Sequence, residues 1–161
     1  MNLKTMSLCL ALLALGGCNS PGDEPQPAAN AAVPADPGPA PGIKRQPSPN
    51  AAAVRFLNLQ DGAVVSNPVR LEFEITGMDL VPAGTVAENS GHHHLLIDAA
   101  LPDLTVPIPA DAKHLHFGDG SRSTELNLPS GEHTLQLLFA DYLHIPHDAP
   151  VYSNRITIKV E

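Results

Sequence analysis

The clearest signal in the chain is strict alternation. Val69, Leu71, Phe73 and Ile75 are apolar, while Arg70, Glu72, Glu74 and Thr76 between them are polar. An extended strand sends these two sets to opposite faces, one towards a core and one towards water. His133, Leu135, Leu137 and Phe139 share a face in the same way, and Ile156, Ile158 and Val160 alternate with Thr157 and Lys159. Val54 to Leu59, the apolar run His93 to Asp98, a short piece over 113–117, and Thr124 to Leu128 supply further strands. Asp61-Gly62, Gly118-Asp119-Gly120 and Pro129-Ser130-Gly131 are turn sequences between them, and 78–91, 101–110 and 141–150 read as loops. No stretch carries helical periodicity of any length. The pattern predicts a single all-β domain over 54–161, an antiparallel β-sandwich. Its expected core holds Leu71, Phe73, Ile75, Leu95, Ile97, Leu135, Leu137, Ile156 and Ile158.

Upstream the pattern changes twice. Lys4 gives a positive start and Leu8 to Leu15 an apolar run too short to span a bilayer, so 1–17 reads as a secretory signal. Leu15-Gly16-Gly17-Cys18 has the form of the bacterial lipobox, which makes Cys18 the expected lipidation site and new N-terminus. Asn19, rather than Asp, directly after that cysteine leans towards the outer membrane. The expected location is therefore the bacterial cell envelope, lipid-anchored and, by the rule of that residue, on the outer membrane facing the periplasm. Residues 18–53 then hold many prolines with Ala and Gly between them. Such composition buries little apolar area and favours extended, disordered chain. At ~3.1 Å per residue this linker reaches on the order of 100 Å.

Charge and cysteine narrow the function. The net charge is −8, which repels phosphate backbones, so no nucleic acid partner is expected. Both cysteines, Cys9 and Cys18, precede the folded region. Disulfides, thiolate ligands and a cysteine nucleophile are thereby excluded from it.

The chemistry lies in the histidines. All 8 fall between 92 and 147. Residues two apart on a strand face the same side, so His92 with His94, and His114 with His116, offer nitrogen pairs to one ion. His144 and His147 flank a rigid Pro146 in a loop and complete the candidate ligand set. Asp98 and Asp111 are candidate carboxylates, either as a further ligand or as partners that orient those rings. His93 and His133 fall on the apolar faces of their strands and read as hydrogen-bonded core histidines instead. With no cysteine and Met78 alone among mature methionines, an imidazole site suits Zn or Cu(II) rather than Cu(I).

Gly91-His-His-His-Leu-Leu-Ile-Asp98, Pro107-Ile-Pro-Ala-Asp111, His114-Leu-His-Phe-Gly118, Gly131-Glu-His-Thr-Leu-Gln-Leu-Leu138 and His144-Ile-Pro-His147 together resemble an uncharacterised family of small His-rich exported bacterial proteins, a domain of unknown function. The resemblance implies export and a compact β domain, and brings no established activity. The element from Pro129 to Asp141 also resembles a late strand of bacterial immunoglobulin-like domains, which makes the expected sandwich immunoglobulin-like. The leading expectation is a binding module, anchored to the membrane by lipid, that takes a divalent transition metal ion. The alternative is an immunoglobulin-like adhesion or assembly module whose partner is another envelope protein and whose histidines are structural. A metal-dependent enzyme ranks below both. No Ser-His-Asp arrangement, paired catalytic carboxylates or phosphate-binding glycine loop is legible, and no catalytic residue is assigned.

Overall fold

A computed structural model describes residues 43–161; the expected signal segment and Cys18 lie outside the described residues. Ten strands follow in order: β1 (Ala53–Phe56), β2 (Ala63–Val65), β3 (Val69–Thr76), β4 (Asp79–Leu80), β5 (Ser90–Ile97), β6 (His114–His116), β7 (Ser123–Leu126), β8 (Gly131–Ala140), β9 (Pro146–Tyr152) and β10 (Ile156–Val160). The described residues contain no helix. The domain is an all-β sandwich, as the alternation predicts.

One layer is the three-stranded sheet β1-β3-β7, all antiparallel. β3 sits at its centre because its alternation is cleanest: Val69, Leu71, Phe73 and Ile75 are buried. On the wet face Arg55 and Glu74 are cross-strand partners joined by an ion pair at 2.7 Å. Being exposed, that pair contributes at most about 1 kcal/mol.

The second layer runs β2-β10-β8-β5-β4, with β6 also pairing β5 and β9 also pairing β8. β4 and β6 share one edge of β5, the other being taken by β8, and β9 and β10 share the far edge of β8 in the same way. Two short pairings, β2 with β10 and β4 with β5, are parallel; the remainder are antiparallel. All nine expected core residues are buried between the layers.

β5 is buried on both faces along its whole length, as β8 is over Leu135 to Ala140. His93, Leu95 and Ile97 face the main core. On the other side Leu96 packs with Leu138, Ala140 and Ile108 in a second, smaller apolar cluster under the connection between β5 and β6. This second cluster covers the sheet face on which His92 and His94 also stand.

Several boundaries differ from the sequence expectation: β4 lies inside the expected loop 78–91, and β5 enters that loop at Ser90. Ordered contacts begin well before residue 54. Pro47 bridges to Asp148, the Ser48 N–H donates to the Asp148 carbonyl, the Asp148 N–H donates to the Gln46 carbonyl, and Arg45 donates to the carbonyls of Pro146 and His147. The expected linker over 18–53 thus ends earlier, because an extended proline-bearing segment lies well along an open strand edge. β9 also forms inside the expected loop 141–150, paired to β8 through a register shift at Phe139/Ala140.

Candidate functional site: a four-histidine cluster

Strand register assembles the cluster. β5 and β6 align so that His94 stands directly opposite His116. β5 and β8 align His92 with Ala140, the last residue of β8. The loop that follows Ala140 therefore emerges beside His92 and carries His144 there.

That loop is built by Asp141, a buried residue. Its carboxylate accepts from the backbone N–H groups of Leu143 (2.9 Å) and Ile145 (3.0 Å). Its carbonyl accepts from His144 N–H, and its own N–H donates to Ile145. The tight turn holds His144 at φ 64, in the left-handed region that few non-glycine residues adopt. The His144 carbonyl accepts from Ile108 N–H at 2.9 Å, which ties the β5–β6 connection to the same loop.

The four rings face one another. His92 Nε2 and His94 Nε2 lie 3.1 Å apart, and His116 Nε2 and His144 Nε2 lie 3.2 Å apart. Ring centroids across the two pairs are 4.8 Å (His92–His116), 5.0 Å (His92–His144), 5.1 Å (His94–His116) and 5.8 Å (His94–His144). One nitrogen from each of His92, His94 and His116 falls within 4.8 Å of the others, so this cluster could hold a metal ion. A tetrahedral Zn²⁺ with nitrogens at ~2.05 Å places neighbouring nitrogens about 3.3 Å apart. Both short pairs are close to that separation.

The rings are kept in the form that binds metals. Burial pushes the imidazole pKa of His92 down to about 3 and that of His94 to about 2, and neighbouring histidines push in the same direction. His116 is lowered by partial burial and by His144, against an opposing pull from Asp119. A positive charge on His92, His94 or His116 is disfavoured by the neighbouring rings, and neutral imidazole is the ligand.

Gly118 fixes His116. A Cβ at Gly118 would lie 2.3 Å from His116 Cε1 and 2.7 Å from its Nε2, so only glycine leaves room for the ring in this position. Neither Gly118 nor Asp141 was among the residues expected to form the site. Their signals were a turn glycine two residues after His-x-His and an Asp opening a loop.

Two of the expected ligands lie elsewhere. His114 shares a strand face with His116 but stands opposite Leu96 rather than His94. Its Nδ1 is bonded to Asp111 at 2.8 Å. His147 stacks on Phe139, a residue of the main core, and its Nε2 bonds the Ser90 carbonyl at 3.1 Å. The two candidate orienting carboxylates serve other histidines. Asp111 holds His114, and Asp98 bonds His133 Nδ1 at 2.8 Å and the Thr134 N–H. The Nδ1 atoms of His92 and His94 are buried without a partner among the described residues, so packing, rather than a carboxylate, orients those two rings.

His133 is hydrogen-bonded at both nitrogens, to Asp98 and to the Pro129 carbonyl, and its pKa is raised by those bonds. His133 is only half-buried, at the open end of β8, and is not the core residue expected; His93 is one, wedged edge-on against Phe73 and Phe139. The hydrogen bonds expected for it are absent: neither ring nitrogen has a partner among the described residues.

The cluster opens on one side. His94, His116 and His144 line a cavity of about 180 Å³ together with Pro107, Ile108, Pro109 and Ala110. A larger cleft of about 500 Å³ lies at Arg45, Glu88 and Tyr142 and is lined by no histidine.

Fold and site together define a small β-sandwich with a histidine cluster on one sheet face. Residues 71–161 match the model of a family described as a domain of unknown function, DUF4399. The chain belongs to that family. No curated protein and no solved structure matches the chain.

Proposed function

We propose that this domain binds one divalent transition metal ion through His92, His94, His116 and His144, as a module tethered by lipid at Cys18 to the bacterial envelope. The observation that carries the reading is the mutual approach of four imidazoles whose Nε2 atoms face each other in pairs at 3.1 and 3.2 Å. Neutral imidazoles gain little from one another, since each contact satisfies one donor and one acceptor and leaves buried Nδ1 atoms unpaired. A shared cation accepts all four lone pairs at once. Nitrogen-only donors suit Zn²⁺ or Cu²⁺. A site with four protein ligands fits holding or delivering an ion better than hydrolytic chemistry, which generally uses three.

Elemental analysis of the full chain, purified without a histidine tag, tests the metal. The expected result is about one Zn or Cu per chain after loading and desalting, and none in a His116→Ala/His144→Ala variant. Equal retention by both proteins would refute it. The tether is tested by fractionation: Cys18→Ala should leave the membrane or stall in processing, and membrane binding as firm as the parent's would remove the lipid anchor from the proposal.

A further inference from the structure

We infer that an ion held by the four histidines takes a small coordinating monoanion from the cavity at Pro107–Ala110. The inference rests on the metal-binding reading and adds to it an exogenous ligand.

The first argument is access. His92 and His94 are almost wholly buried and close the site from behind, whereas His116 is exposed and His144 only half-buried. The open side is the cavity, and three of the four rings form part of its wall. Its volume of about 180 Å³ corresponds to about six waters at ~30 Å³ each. That admits a ligand of a few atoms.

Charge supplies the second argument. Four neutral imidazoles bring no charge into the coordination shell of a divalent ion, and Asp119 acts on His116 only from outside it. Among the described residues no carboxylate is a member of the cluster: Asp98 is engaged by His133, Asp111 by His114, Asp119 by Ser121 and Asp141 by the N–H groups of Leu143 and Ile145. A divalent charge beside buried rings is costly unless paired, and one monoanion halves it.

The cavity lining gives the third. Pro107 and Pro109 have no N–H, and the Ile108 N–H is already given to the His144 carbonyl. This wall therefore offers no backbone donor at those three positions to hold an oxyanion by hydrogen bonds. What recognises an anion here is the ion, so the class is small and strongly coordinating, with azide the convenient probe.

The test uses the full untagged chain loaded with one equivalent of Cu²⁺ and titrated with sodium azide, followed by absorption and electron paramagnetic resonance. The expected result is a new azide-to-copper charge-transfer band that saturates. Ala110 is exposed at the cavity rim, so Ala110→Phe should fold and keep its copper while weakening azide binding about tenfold or more, equivalent to about 1.4 kcal/mol. Nitrogen-ligated copper with a spectrum indifferent to azide would overturn the inference and leave the metal reading intact. Equal azide affinity in Ala110→Phe would place the anion on another face and also overturn it. Failure to bind copper at all would refute the metal reading, and the inference with it.

Discussion

Gly118→Ala separates the geometry of the site from the stability of the fold. The added methyl would sit 2.3 Å from His116 Cε1 and 2.7 Å from Nε2, both closer than any stable contact. Gly118 does not adopt a left-handed conformation, so alanine brings no backbone strain, and the atoms it strikes belong to the end of an exposed side chain that can swing away. Relief is therefore cheap for the fold and costly for the cluster. The His116 ring loses its position 3.2 Å from His144 and its contact with the His94 ring. Displacing support around a ligand typically lowers metal affinity about 10–100-fold, which is about 1.4–2.7 kcal/mol. Competition against a chelator of known affinity gives the number, and urea unfolding of the metal-free protein should give an unfolding free energy within about 0.5 kcal/mol of the parent's. Because the methyl acts only through His116, the effect should vanish when His116 is already alanine, so the double variant should bind as His116→Ala does. Parental affinity in Gly118→Ala, or additive losses in the double variant, would refute the assignment of His116 as a ligand held by Gly118.

Two further outcomes follow from the buried imidazoles. The pKa of His93 is lowered to about 4, chiefly by burial, and His92 and His94 are lowered further. Their unfolded-state value is 6.5, so the unfolded chain takes up protons first as pH falls. Metal-free stability should be full above about pH 6.5 and decline steadily towards pH 4, as urea midpoints across that range would show; a flat profile would contradict the burial. His93→Leu removes two buried nitrogens without partners, a gain of about 1–3 kcal/mol, against about 0.5–1.5 kcal/mol of aromatic contact with Phe73 and Phe139. The variant should be more stable than the parent near pH 5 and show a shallower acid decline, and lower stability at that pH would argue that His93 has a hydrogen-bond partner.

How much of this was legible depended on range. β3, β8 and β10 were readable because one wet face and one dry face leave period-two alternation. β5 was readable as a strand, yet its second buried face was not, because the apolar cover comes from Leu96, Leu138 and Ile108 far apart in sequence. The pairing of His92 with His94 follows from local strand geometry and needed no fold. The choice of His116 over His114 did not, since it turns on the β5–β6 register that puts His94 opposite one and Leu96 opposite the other. His144 was preferred to His147 by the Asp141 turn, a loop property that composition does not encode. β9 was hidden because Pro146, Pro150 and polar residues carry no alternation, and its place depends on pairing with β8.

The central claim is that His92, His94, His116 and His144, rather than the histidines as a group, bind a metal ion. The most direct measurement is titration calorimetry with Zn²⁺ and with Cu²⁺ on the untagged chain, on His116→Ala/His144→Ala and on His114→Ala, each checked for retained β structure by circular dichroism. The account predicts one saturable site in the parent, the same site at near-parental affinity in His114→Ala, and its loss in the double variant. Indistinguishable binding by all three proteins, or a loss confined to His114→Ala, would contradict it.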